Sequence, residues 1–215
     1  MSEKVNFTIL KHDILFEGRV LNLYKDLIQY DDGQNDSREV VEHYGGSTVL
    51  AVTDNSLILV KQYRHPLKQF VYELPAGKLN LNEDPLNCAK RELKEETGYT
   101  ATNWEKIISF HTTPGYSSEK LHIYLATDLT KGEQELELGE RNLEVIVVDF
   151  IEALKMIKNE EITDSKTIIG ILLGQELLLK QRSCHPTGGL IPSLIEIKSA
   201  GTENPNGEGA KVGSS

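Results

Sequence analysis

Many short strands and few helices predict an α+β fold. Three features of the 215-residue sequence carry that expectation: β-rich pieces crowded between residues 5 and 44, two apolar runs around a turn at Asp54, Asn55 and Ser56, and only three segments with helical apolar spacing. In chain order, RVLNLYKDLIQY and, after the turn-like DDGQNDS, the run REVVEHY predict an N-terminal antiparallel sheet. STVLAVTDNSLILVKQY supplies two strands, and FVYEL, WEKIISFHTT, KLHIYLATDL and LEVIVVDF one each. IEALKMIKN and DSKTIIGILLGQELLLKQ read as helices by apolar spacing. The first is in GKLNLNEDPLNCAKRELKEETGY, residues 77 to 99, described below.

Composition bounds the function. With 39% hydrophobic and 26% charged residues, the chain suits one globular domain with appendages. A formal charge of −10 opposes non-specific binding to nucleic acid or an anionic membrane, so neither is an expected partner. No apolar run approaches the roughly 20 residues that span a bilayer, and MSEKVNFTIL has no hydrophobic signal core, which predicts a cytoplasmic protein. Cys88 and Cys184 lack zinc-ligand spacing and read as ordinary thiols. The expected organisation is a β-sheet region at 1–45, a main domain at 46–182, and a mobile tail at 183–215, where Gly, Pro, Ser, Asn and Glu dominate.

The segment from Gly77 to Tyr99 crowds acidic side chains together. Asp84 and Pro85 form an N-cap and first-turn pair, Gly98 is a natural C-terminal stop, and about three and a half turns lie between them. Leu86, Ala89 and Leu93 share the stripe that faces the core. Glu92 and Glu96 sit together beside that stripe, with Glu95 further round the same side. Such like charges weaken a helix, and Arg91 and Lys94 offset only part of the repulsion. Judged on charge alone, a solvated acidic face is the competing account.

Spacing decides between them. Gly77, five residues, Glu83, seven residues, Arg91-Glu92-Leu93, one residue, Glu95-Glu96, one residue and Gly98 resemble the Nudix box at every fixed position, with Tyr99 where an aliphatic residue is usual. The resemblance implies the Nudix fold, a mixed β-sheet sandwiched between helices. It also implies Mg²⁺- or Mn²⁺-assisted hydrolysis of a nucleoside diphosphate linked to another moiety. Hard divalent cations take oxygen ligands, which gives clustered carboxylates a purpose. By similarity, Glu92 and Glu96 are first-choice ligands, Glu95 assists in catalysis and ligation, and the Ala76 carbonyl is a further ligand. Arg91 orients the glutamates, and Glu83 is structural.

Pro114, sixteen residues after Gly98 in TTPGYSSE, resembles the ADP-ribose pyrophosphatase subgroup, although a plain turn between strands would also explain it. LVKQYRHPLKQFVYELPAG and REVVEHYGG are similar to that subgroup's segments too. This likeness implies that Arg64 clamps the diphosphate and that Arg38 and Glu39 contact the adenosine portion from a partner subunit. It places Glu73 facing the same pocket, and it implies a homodimer with exchanged N-terminal sheets. For Arg64, Arg38 and Glu39 the alternative is a surface ion pair. The general base is expected on the loop ELELGERNLEV; Glu140 is the choice, with Glu144, Glu137 and Glu135 open. Tyr24, Tyr30, Tyr44 and Tyr116 are candidates for stacking on adenine or for the core.

The implied reaction is Mg²⁺-dependent cleavage of ADP-ribose to AMP and ribose 5-phosphate. Its rivals are a pyrophosphatase for another nucleoside diphosphate sugar such as GDP-mannose, and a catalytically silent Nudix ligand-binding module.

Overall fold

The computed structural model describes residues 6–136 and 140–184, with side chains as far as residue 178. The expectation of a mobile tail falls, beyond Cys184, outside the described residues.

Strands β1 (Phe7–Glu17), β2 (Asn22–Tyr30) and β3 (Asn35–Glu42) form an antiparallel three-stranded sheet. Opposite charges face each other across β2 and β3, Lys25 against Glu39 and Asp26 against Arg38, which favours this register. β3 begins at Asn35, inside the segment expected as turn. The reason is a short reversal: Gly33 at φ 86° lets its N–H reach the Tyr30 carbonyl at 2.9 Å, so Asn35 to Ser37 are already free to pair with β2.

The second sheet has seven strands: β4 (Gly46–Thr53), β5 (Ser56–Arg64), β6 (Gln69–Glu73), β7 (Ala76–Lys78), β8 (Tyr99–His111), β9 (Lys120–Lys131) and β10 (Glu144–Asp149). Its main path runs β10-β5-β4-β9-β8, with β6 paired to β5 and β7 to β4. β4 and β9 are parallel and the other pairs antiparallel, so the sheet is mixed. β7 has no sequence signal because three residues cannot show a period.

Helices α1 (Pro85–Thr97), α2 (Phe150–Lys158) and α3 (Ser165–Cys184) cover this sheet. Alternation along β4 assigns its two faces. Val49 and Ala51 pack with Ala89 and Leu93 of α1, while Leu50 and Val52 pack with Phe150 of α2 and Ile171 of α3. This is the expected sheet sandwiched between helices, with an antiparallel N-terminal sheet beside it. β4 is buried on both faces, hence its nearly continuous apolar run. Among the described residues, no helix is long and apolar enough to cross a membrane.

The ends of α1 match the sequence reading. The Asp84 carboxylate accepts from the N–H groups of Leu86 and Asn87 at 3.0 and 3.1 Å, and Gly98, at φ 74°, donates to the Lys94 carbonyl at 2.8 Å. A Cβ at Gly98 would lie 2.7 Å from the Gly132 carbonyl oxygen as well as in a left-handed backbone. Gly98→Ala is therefore expected to destabilise the protein by about 1–3 kcal/mol in urea titrations. An unchanged midpoint would show that this stop does not hold α1 in place.

Candidate functional site

Two short elements bring the box residues together. β7 lays Ala76 to Lys78 across the flank of α1, close enough that a Cβ on Gly77 would fall 1.9 Å from the Glu92 carboxylate. Only glycine leaves that carboxylate its place. The Ala76 N–H donates to Glu96 at 2.9 Å. One oxygen from each of Glu92, Glu96 and Glu140 lies within 4.8 Å of the others, and Glu92 and Glu96 are buried.

Arg91 occupies the centre of this acidic group. It donates to Glu83 at 2.9 and 3.0 Å, to Glu92 at 2.5 Å, to Glu95 at 3.0 Å and to the Lys78 carbonyl at 3.3 Å. Glu83 also accepts from the Asn80 N–H at 2.9 Å, so it fastens the approach to α1. Glu95 accepts from Arg91, one helical turn earlier, and lies outside the closest trio. Glu140 takes the third place.

The electrostatics follow from burial. Desolvation pushes Glu92 up to about 7, with the charges of Glu95 and Glu140 adding to it and Arg91 opposing. Burial likewise raises Glu96 well above the ordinary carboxylate value, reinforced by Glu92 and Glu140. The donor set fits Mg²⁺ or Mn²⁺: hard carboxylate oxygens, crowded and held back from ionising until a cation offsets their charge.

These carboxylates line a cavity of about 570 Å³ that also includes Arg19, Arg64 and Lys78. A neighbouring cavity of about 470 Å³ is bounded by His43, Thr112, Thr113, Tyr116, Asp164 and Lys166. Arg64, Ala76, Gly77 and Lys78 line both, so the two halves meet along β7 and the end of β5. Each half has the size of a small-molecule site.

The remaining candidates are dispersed. Arg64 lies on the shared wall, paired with Glu73 at 2.6 and 2.7 Å. Glu73 is buried behind it and lines neither half. Pro114 belongs to the turn between β8 and β9, beside the cavity-lining Thr113 and Tyr116. Arg38 and Glu39 lie on β3 and line neither half; Arg38 donates to Asp36 and, at 2.7 Å, to the Tyr30 hydroxyl. Glu135 is paired with Lys94 at 2.7 Å, Glu144 is exposed on β10, and Glu137 lies outside the described residues. Arg19, Lys78 and Lys166 were not singled out from the sequence. Nothing about isolated cations marks them, and Lys166 lies within a segment readable only as a helix start.

The chain matches the model of the NUDIX domain over residues 43–168. It is 44% identical over 176 residues to the ADP-ribose pyrophosphatase of Bacillus subtilis (strain 168), covering 81% of this chain and 93% of that one. It is 43% identical over 178 residues to the methanol dehydrogenase activator of Bacillus methanolicus, covering 82% and 95%. Identity to the GDP-mannose pyrophosphatase of Cronobacter sakazakii (strain ATCC BAA-894) is 30% over 190 residues, covering 82% and 97%. A crystal structure of an ADP compounds hydrolase superposes with a TM-score of 0.73 at 20% identity, over 84% of this chain and 98% of that one, which shows the shared fold.

The raised carboxyls have a signed consequence. Between the ordinary value of 4.5 and about 7, the folded metal-free chain holds protons that the unfolded chain has released, so its stability falls as pH rises through that window. Cation uptake requires the ionised forms. Mg²⁺ binding at pH 6 is therefore expected to release protons, read in calorimetry as a heat that differs between buffers of unlike ionisation enthalpy and shrinks at higher pH. Buffer-independent heats at pH 6 would contradict the raised carboxyls.

Proposed function

The chain belongs to the Nudix family, and from that premise we propose that it is an Mg²⁺- or Mn²⁺-dependent pyrophosphatase that splits ADP-ribose into AMP and ribose 5-phosphate. The observation that carries this reading is the convergence of Glu92, Glu96 and Glu140 in a cavity that Arg64 also lines. Similarity to the Bacillus subtilis ADP-ribose pyrophosphatase over most of both chains supports the choice of sugar.

Glu92 and Glu96 would hold the cation, with Glu95 and the Ala76 carbonyl assisting. The chemistry supplied when a cation is bound there would be charge neutralisation of the diphosphate and acidification of the attacking water. Glu140 accepts the proton of the attacking water as a new oxygen–phosphorus bond forms and the bridging oxygen departs with the other phosphate. Its place beside Glu92 and Glu96 supports it over Glu135 and Glu144. Arg91 fixes the glutamates and does not touch substrate. Arg64 has five N–H donors, of which two go to Glu73, and the remaining three are available for phosphate oxygens. The turn at Pro114 borders the neighbouring half, where the second sugar is accommodated.

The N-terminal sheet leaves Ile9, Ile14 and Phe16 more than half exposed, which supports a homodimer in which this sheet meets a second copy. Arg38 and Glu39 then reach the adenosine portion across that interface. That neither residue lines either half within one chain supports this arrangement. The cellular setting proposed is the cytoplasm. The Bacillus methanolicus relative favours a second reading, a Nudix domain whose effect is exerted on another protein.

Three measurements decide these points. With Mg²⁺ and a panel of nucleoside diphosphate sugars, ADP-ribose should be turned over fastest; faster GDP-mannose cleavage would move the substrate, and tight binding without product would favour the second reading. Glu96→Gln should lower kcat by roughly two to four orders of magnitude with the thermal transition retained, since it removes ligand charge and keeps shape. Sedimentation should give a dimer that Ile14→Asp converts to monomer with a raised KM; a monomeric wild type refutes the exchanged sheets.

A further inference from the structure

Glu73 closes β6 with its side chain only 3% exposed, and two cations share its carboxylate. Arg64 donates from Nε and Nη2 to the two oxygens, and Lys166 Nζ donates to the second of them. Lys166 also donates to Asp164 at 2.9 Å. Asp164 is committed to the start of α3, where it accepts from the Thr167 N–H and hydroxyl at 3.0 and 2.6 Å. The Thr167 oxygen in turn accepts from the Leu74 N–H at 2.8 Å, which joins α3 to the strand end that carries Glu73.

Without Lys166, Arg64 would face two carboxylates, Glu73 in contact and the charge of Asp164 nearby, and this corner would be net negative and unfavourable to a diphosphate. Lys166 changes that balance. With Lys166 shared between Glu73 and Asp164, the two cations and two carboxylates balance, so the corner is no longer net negative. Of the four, Arg64 is the most exposed, at 41% of its side chain, and it alone lines both halves of the cavity. Burial raises the Glu73 carboxyl, yet Arg64 and Lys166 together outweigh it and hold the group below the ordinary value, so it stays ionised as their anchor.

We infer that Lys166 is a positioning residue for the diphosphate: by offsetting Glu73 and Asp164 it leaves the charge of Arg64 uncancelled toward the substrate, and by fixing Glu73 it holds the guanidinium along the wall between the two halves. It acts through Arg64 and takes no part in bond cleavage. The inference rests on the pyrophosphatase reading but not on which sugar is preferred.

The test uses the full chain with Mg²⁺ and whichever nucleoside diphosphate sugar the wild type turns over fastest; turnover of none would sink the pyrophosphatase reading itself. Lys166→Met should raise KM about tenfold while kcat stays within about threefold, and Lys166→Arg should restore most of the loss. In a Glu73→Gln background the same Lys166→Met change should move KM by less than about twofold, because the carboxylate it shares is gone. An equal rise in both backgrounds would mean that Lys166 meets the substrate directly, overturning the inference. An unchanged KM, or kcat falling in step with the folded fraction in thermal melts, would reduce Lys166 to a docking contact for α3. Should Glu73→Gln not fold, an Arg64→Gln background decides by calorimetric affinity for inorganic pyrophosphate: a Lys166→Met loss that shrinks there sustains the inference, and an equal loss in both backgrounds or no loss at all rejects it.

Discussion

The site depends on the contact between β7 and α1, where a backbone without a side chain lies against a buried carboxylate. Gly77 permits that approach, and the Ala76 N–H meets Glu96. Burying two carboxyl groups side by side is unfavourable in itself, since desolvation and mutual repulsion both oppose their ionisation. The fold tolerates this because α1 is secured at both ends by Asp84 and Gly98 and packs Ala89 and Leu93 against β4. Rigid support on one side thus sustains an electrostatically unfavourable arrangement on the other.

Arg91 makes the arrangement workable without a cation. A single guanidinium distributes its donors over Glu83, Glu92 and Glu95, so it restrains the acidic group while one of its contacts runs back to the approach to the helix. This explains why the spacing of the segment is strict. Glu83 lies eight residues before Arg91 because the chain must loop back to the helix flank, and Glu95 lies four after because that is one helical turn. The function of each residue is partly to hold another in place.

Much of α1 could be read in advance because its determinants are local. A cap, a proline, a periodic stripe and a glycine stop all lie within one segment, and the structure returns the same boundaries. Strands with apolar runs were readable for the same reason, whereas the onset of β3 was set by a tight reversal and β7 by its pairing with β4. Contacts made by distant segments left no sequence trace. Lys166 and Glu73 are separated by 93 positions, and neither residue type at either place announces a buried ion pair. Glu140 was chosen by its loop, but its approach to Glu92 and Glu96 is a consequence of β10 pairing with β5 and could not be counted from spacing.

Charge placement resolves how a chain of net charge −10 can receive a diphosphate. Long-range attraction is unfavourable, so the local field must decide, and within about a Debye length a few fixed cations outweigh dispersed surface acids. The cleft divides that task by distance. On one side carboxylates prepare for cations, and along the shared wall Arg64 is backed by Lys166 through Glu73, with Lys78 beside it. The proposed reading sets the phosphates of such a ligand at the wall between the acidic half and its neighbour, with the two ends extending on either side. A simple phosphate ester would fill only one half, so the two-part cavity itself favours a substrate joined through a diphosphate.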